Sequence, residues 1–379
     1  MYIDCKNRIY GLDVIRATAI ILVLASHSTL LLFPNTSNFI LTIIQFFGAI
    51  GVDLFFVLSG FLIGGIILKQ LSEGKTKLKH FFHFWVRRWF RTLPNYFLVL
   101  LLNILVFYAL HNIIIEGLGS YFVFLQNFSN PHPDFFTEAW SLSIEEYAYI
   151  IGPFLLFLSL YAFKNINTSR LFLIVTVSIL FIVAFFRYYH HSNNVLHQDY
   201  IWSKDIRKVV VYRIDSIYYG FLAAFLSYNF NEIWKRFRTF FFILGIIVFF
   251  GTHAVIFGYK LNPDKGLLFF DVFYLPIISV SLLLLFPALT NWTTKKVFKR
   301  QITLISVLSY SLYLVNYSLI LLSIQYFIDV ENQPILIKVS IFFMYWMVSF
   351  IFAFLLYKYF EKPMTDIRDS KFIRDKFIR

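Results

Sequence analysis

RATAIILVLASH, residues 16–27, is an apolar run closed at one end by an arginine and at the other by a histidine. With its flanks it extends over 12–33, enough for a helix to cross roughly 30 Å of hydrocarbon. Eleven positions on an α-helix advance about 16.5 Å and turn about 20° past three full turns. Arg16 and His27 therefore share one face, one above the other. Ionisable side chains inside a membrane are costly and usually line polar cavities. Singly, Arg16 also reads as a snorkelling cation and His27 as a histidine bonded to a neighbouring carbonyl. As an aligned pair they read as a polar path along one helix.

The rest of the chain agrees with a membrane reading. Of 379 residues, 59% are hydrophobic and 15% charged, with 49 Phe and 24 Tyr, more apolar side chains than one soluble core would bury. Ten runs are long enough to span: 12–33, 45–68, 92–111, 141–163, 171–189, 207–228, 239–258, 267–289, 303–327 and 335–358. The second holds Gly48, Gly51 and Gly60, so its first part is expected to be short or broken. With the N-terminus inside, 24 of the 34 Lys and Arg fall in inner segments and 6 in outer loops. That bias supports an all-α polytopic bundle of about ten spans with both termini cytoplasmic.

The expected organisation is a transmembrane domain over 1–363 and a short basic tail over 364–379, solvated near anionic lipid. The net charge of +13 sits in clusters between apolar runs and in no nucleic-acid-binding motif. Cys5 is the one cysteine and has no partner in the chain. The first apolar run exceeds a signal-peptide core, so no cleaved signal is expected. His190, His191 and His197 fit no standard metal spacing, and no metal is expected.

Other polar groups join the first pair. GVDLFFVLSGF places Asp53 in the outer part of span 2, and WSLSIEEY places Glu145 about one turn into span 4. VYRIDSIYYG places Arg213 and Asp215 about two turns into span 6. With His27 these predict a polar layer in the outer half of the membrane. At the inner side FWVRRWFRTLPNY sets Arg87, Arg88 and Arg91 where span 3 begins. They read as topology charges or, with Arg16, as a phosphate site, since guanidinium pairs well with phosphate oxygens. An inner anion site, an outer acid–base site and about 16 Å between them suit a long ligand with phosphates at one end. Acyl-coenzyme A has that shape.

The ordered set GLDVIRATAIILVLASHS, GVDLFFVLSGFLI, FWVRRWFRTLPNY, WSLSIEE, VYRIDSIYYG, SYSLYLVNYSL and YFEKP resembles the acyltransferase-3 family of integral membrane acyltransferases. The likeness covers essentially the whole chain. It implies transfer of an acyl group, most often acetyl, from cytoplasmic acyl-CoA to a hydroxyl of an envelope carbohydrate at the outer face. It implies a multi-pass protein of the bacterial inner membrane, with O-antigen, capsule, peptidoglycan or a lipid-linked sugar among the candidate acceptors. His27 matches the family's essential histidine and Arg16 its arginine partner, while Glu145, Arg213 and the RRxxR cluster fall on motif positions. Asn316 stands where many members carry a histidine, which leaves an amide to bond a substrate. Some relatives carry an appended periplasmic esterase-like domain. Without one, this chain is expected to handle its acceptor alone or with a partner.

The expected mechanism puts the acetyl-CoA phosphates on Arg16, Arg87, Arg88 and Arg91. His27 acts as general base or as an acyl-carrying nucleophile. Glu145 or Asp53 orients the imidazole, and Arg213 either stabilises the oxyanion or pairs with Asp215. Trp140, Tyr310 and Asn316 are expected to bind substrate. Trp140, Tyr121 and Trp202 serve as sugar platforms or as interface anchors. The rival readings are a transporter or flippase, and a structural membrane subunit.

Overall fold

The computed structural model describes residues 8–194, 200–263, 266–292 and 298–368. Cys5, His197 and the tail from residue 369 lie outside the described residues. Among the described residues there is no strand, and nine helices are long and apolar enough to cross a membrane. They are α1 (Tyr10–Leu32), α2 (Phe39–Ser72), α3 (Leu78–His111), α4 (Ala139–Ala162), α5 (Thr168–Asn194), α7 (Arg238–Gly258), α8 (Phe269–Thr290), α9 (Lys299–Phe327) and α10 (Ile335–Arg368). The tenth expected span is present but broken. It is α6, residues 210–229, made of Val210–Arg213 and Asp215–Asn229. The carbonyls of Asn127 and Phe128 take the N–H groups of Val210 and Val211, so a loop caps its first turn.

The glycine-bearing second run is not broken. It forms one helix of 34 residues, about 51 Å long. Its glycines serve packing instead. A Cβ at Gly60 would lie 1.9 Å from the Ile217 carbonyl oxygen, and one at Gly220 would lie 2.2 Å from that of Val57. α2 and α6 thus touch backbone to backbone. Gly48 and Gly51 likewise admit Ser26, Ala19 and Val23 of α1. Small residues drive helix association in lipid because they permit this approach.

In the apolar stretches of α2 and α9, 67% of the residues are buried, and these helices form the interior with α1, α4 and α8, whereas in that of α7 17% are buried. On α7 the residues Phe240, Ile243, Ile247 and Phe250 recur at helical spacing and point outward, as a lipid-facing stripe does. Two buried arginines of the bundle are paired. Arg187 forms an ion pair with Asp215 at 2.7 Å and Arg213 pairs with Asp53, all four buried. Arg187, near the end of the run 171–189 and counted among the six outer Lys and Arg, sits inside α5, which continues to Asn194.

α9 changes pitch at Asn316. Regular helix runs to Val315, a π segment covers Asn316–Leu321, and a short helix finishes at Phe327. Such bulges often mark functional positions in helices. Facing it, the loop after α3 is folded inward. Tyr121 is buried and donates to the Phe135 carbonyl at 2.8 Å. The Asn127 amide donates to the carbonyls of Trp140 and Lys208 at 3.0 and 2.6 Å. That clamp fixes the start of α4 against the segment ahead of α6.

Candidate functional site: cavities in series along α1

Cavities follow α1 from Arg16 to His27. A vestibule of about 640 Å³ lies between the projecting ends of α2 and α3, lined by Lys69, Lys75, Lys79, Arg87, Arg88 and Arg91. It shares Ile63, Ile66, Arg88 and Arg91 with an inner cavity of about 220 Å³. That cavity also presents Arg16, Glu145, Tyr310 and Tyr313. Val52 and Tyr313 separate it from a chamber of about 230 Å³ lined by His27, Glu138, Trp140, Arg207, Lys208 and Tyr317.

The arginines of span 3 lie within a helix, not ahead of one, because α3 begins at Leu78 rather than near residue 92. Arg88 donates to Glu145 at 2.9 Å and to the Tyr149 hydroxyl at 3.0 Å. Tyr149 in turn donates to Glu145 at 2.8 Å. Arg88 is thus neutralised in place. Arg16 and Arg91 have no carboxylate of the described residues within ion-pair distance, so the inner cavity keeps two uncommitted guanidinium groups. Tyr310 donates to the Thr92 carbonyl at 2.8 Å, which holds its ring along the wall. Glu361 of YFEKP accepts from Ser311 at 2.5 Å and Asn95 at 3.3 Å, joining α10 to α9 and α3.

His27 Nδ1 lies 2.5 Å from Asn316 Oδ1. The Asn316 amide nitrogen donates to the carbonyls of Leu312 and Tyr313, each at 2.8 Å. Carbonyls only accept, so the amide cannot be turned round. Its oxygen faces the imidazole, and Nδ1 must carry the proton. Nε2 is left with its lone pair, the state a general base or nucleophile needs. Tyr345 adds a donor to the same amide oxygen at 3.3 Å, and the Tyr317 ring packs 4.7 Å from the imidazole.

This arrangement revises the expected roles. Asn316, not Glu145 or Asp53, orients His27. Glu145 belongs to the inner cavity with Arg88, and Asp53 lies between α2 and α6 against Arg213. The single outer layer is therefore divided. Arg213 pairs with Asp53 rather than Asp215, and neither Arg213 nor Asp53 lines the inner cavity or the chamber. Trp140 lines the chamber, with the Arg207 guanidinium 4.9 Å from its ring. Tyr121 and Trp202 are internal packing, the latter donating to the Phe270 carbonyl at 3.0 Å.

Three chamber residues escaped the sequence reading. Glu138 is buried and accepts from the Ser318 hydroxyl and, at 3.2 Å, from the Ser318 N–H. Arg207 and Lys208, at the start of the run 207–228, are counted only among the six outer Lys and Arg, although two adjacent cations there run against the charge bias. Burial first, then Arg207 and Lys204, lowers Lys208 to about 8. Among the described residues no three metal-ligating side chains gather. His191 bonds Asp271 at 3.0 Å instead.

A sequence model of a family described as an acyltransferase domain matches residues 9–358. The putative peptidoglycan O-acetyltransferase YrhL of Bacillus subtilis is 32% identical over 48% of this chain and 28% of its own length. The peptidoglycan O-acetyltransferase OatA of Listeria monocytogenes is 32% identical over 42% of this chain and 26% of its own. The putative O-acetyltransferase SACOL0978 of Staphylococcus aureus is 27% identical over 83% of this chain and 52% of its own. The chain thus spans about half or less of the length of these relatives. No solved structure matches it.

Proposed function

The chain belongs to the acyltransferase family, and from that premise we propose that it moves an acetyl group from acyl-CoA to a hydroxyl of an envelope carbohydrate. The reading is carried by one observation: the run of cavities along α1 that leads from the unpaired Arg16 and Arg91 to the free Nε2 of His27. We assign the basic end to the cytoplasm, following the charge bias.

Arg16 and Arg91, with Arg87 and the vestibule lysines, bind the CoA phosphates as charge-assisted partners. Arg88 shapes the wall, since Glu145 and Tyr149 already occupy it. Tyr310 and Tyr313 flank the narrow arm of the donor and bring its thioester to the boundary with the chamber. His27 Nε2 takes the proton of the acceptor hydroxyl. The oxygen bonds to the thioester carbonyl carbon, the C–S bond breaks, and His27 returns the proton to the departing thiolate. Asn316 keeps Nδ1 protonated throughout and accepts from it more strongly when the ring is charged. The same lone pair suits an acyl-imidazole route, in which the acetyl group rests on Nε2 first.

The test is mass spectrometry of envelope glycans from deletion, wild-type and His27→Ala strains. One acetyl increment in the wild type alone is expected. An increment surviving in His27→Ala removes His27 from the chemistry. Unmodified glycan in all three strains removes acetyl transfer to envelope carbohydrate and favours a carrier or flippase.

A further inference from the structure

We propose that the acceptor carries a negatively charged group, a carboxylate or a phosphate, which Arg207 and Lys208 bind inside the chamber of His27. The inference rests on the reading of that chamber as the acceptor site. Its starting point is an imbalance of charge. Arg207 and Lys208 both line the chamber. The nearby carboxylates are committed elsewhere: Asp53 to Arg213, Glu138 to both donors of Ser318, and Asp134 to Lys204 at 3.4 Å. Among the described residues no carboxylate lies within ion-pair distance of Arg207 or Lys208.

Three further features point to a ligand. Trp140 holds the Arg207 guanidinium by its face, which leaves the N–H edge to meet a planar or tetrahedral anion. The Asn127 amide pins the Lys208 carbonyl, so the backbone carrying both cations is fixed before any ligand arrives. An unpaired guanidinium in a low-dielectric site is costly, and an anion brought by the substrate offsets that cost. His27, Arg207 and Lys208 line one chamber of about 230 Å³, so a sugar held there by its charge shares that space with the imidazole. Arg213 stands behind, already neutralised, and does not compete.

The protein in lipid nanodiscs, supplied with acetyl-CoA, is offered a uronate oligosaccharide, a sugar phosphate and a matched neutral oligosaccharide. Mass spectrometry reads the acetyl ester. We expect a KM for one charged acceptor about 10–100-fold below that of the neutral sugar, as charge-assisted hydrogen bonds provide. Whether uronate or phosphate is favoured identifies the group. Arg207→Gln should abolish that difference and leave the KM for acetyl-CoA unchanged, while Arg207→Lys should retain most of it and report on folding. Equal use of charged and neutral acceptors, unaltered by Arg207→Gln, overturns the proposal while acetyl transfer stands. A binding arm needs no turnover. Millimolar uronate disaccharide or inorganic phosphate should raise the unfolding temperature, and Arg207→Gln should abolish the part due to this site. No such part overturns the anion site whether or not acetyl transfer is seen. Absence of acetyl on every acceptor, with that stabilisation intact, sinks the acetyltransferase reading and keeps the anion site.

Discussion

Replacing Asn316 by alanine isolates the interaction that sets the state of His27. The variant removes the acceptor at 2.5 Å from Nδ1 and leaves that N–H short of a partner; the Leu312 and Tyr313 carbonyls lose the side-chain donor, though Leu312 keeps the backbone N–H of residue 316. A neutral hydrogen bond contributes about 1 kcal/mol net, and an orphaned buried donor costs about 1–3 kcal/mol. The imidazole is then free to turn or to move its proton to Nε2, which removes the base from the chamber. General-base catalysis is worth roughly 10²–10⁴ in rate. A ring correctly placed part of the time should therefore lose about 10–100-fold in kcat, equal to roughly 1.4–2.8 kcal/mol of barrier. The assay is release of free CoA thiol by the reconstituted protein with acceptor present. His27→Ala and the double variant complete a cycle. If Asn316 acts through His27, the double variant should be no slower than His27→Ala alone. A kcat for Asn316→Ala within two-fold of wild type, or a full further loss in the double variant, refutes the argument from the amide.

The inner cations should separate by commitment. Arg16→Gln and Arg91→Gln should each raise the KM for acetyl-CoA about ten-fold with little change in kcat, read from initial rates. Asp53→Asn should act on stability, because it strands Arg213 in the bundle; removing one partner of a buried pair costs about 3–5 kcal/mol, visible as lost folded protein on size-exclusion chromatography. Gly60→Ala should lower the unfolding temperature through overpacking worth about 1–3 kcal/mol, whereas Gly65→Ala, with nothing within 4 Å of the added carbon, should not. Binding of the uronate disaccharide should weaken as pH rises through about 8, where Lys208 loses its proton. Arg207 stays charged across that range, and the neighbouring Lys204 and Asp134 oppose each other, so the loss should be partial and read as a falling thermal shift.

The spans were legible because apolar runs report what a bilayer requires of a helix. The alignment of Arg16 with His27 was equally legible, since it depends on one helix. Less local features were not. The glycines of α2 looked like breaks, yet their purpose is visible only once Gly220 faces Gly60. The start of α3 falls fourteen residues before the apolar run, because Lys79, His80, His83, Arg87, Arg88 and Arg91 interrupt the aromatic residues of its first turns. That shift drew Glu145 into the inner cavity, as its depth depends on where Arg88 stands. The partner of His27 lay 289 residues away, and nothing in one chain's sequence records that distance. Arg207 and Lys208 left a trace, as cations on the wrong side of a charge bias. Averaged over the chain, that trace disappeared into the count.

The boundary formed by Val52 and Tyr313 bears on permeability. A basic vestibule and a polar chamber set end to end would conduct ions if they merged, and a leak of protons or potassium would discharge the membrane the protein sits in. Val52 and Tyr313 line both voids and stand between them. The aromatic member is tied by its hydroxyl to Ser141 at 2.7 Å and to the Glu138 carbonyl at 3.3 Å. Hydrophobic constrictions gate pores by dewetting. Val52 and a tethered phenol stand where the two voids adjoin, the position a constriction of that kind occupies.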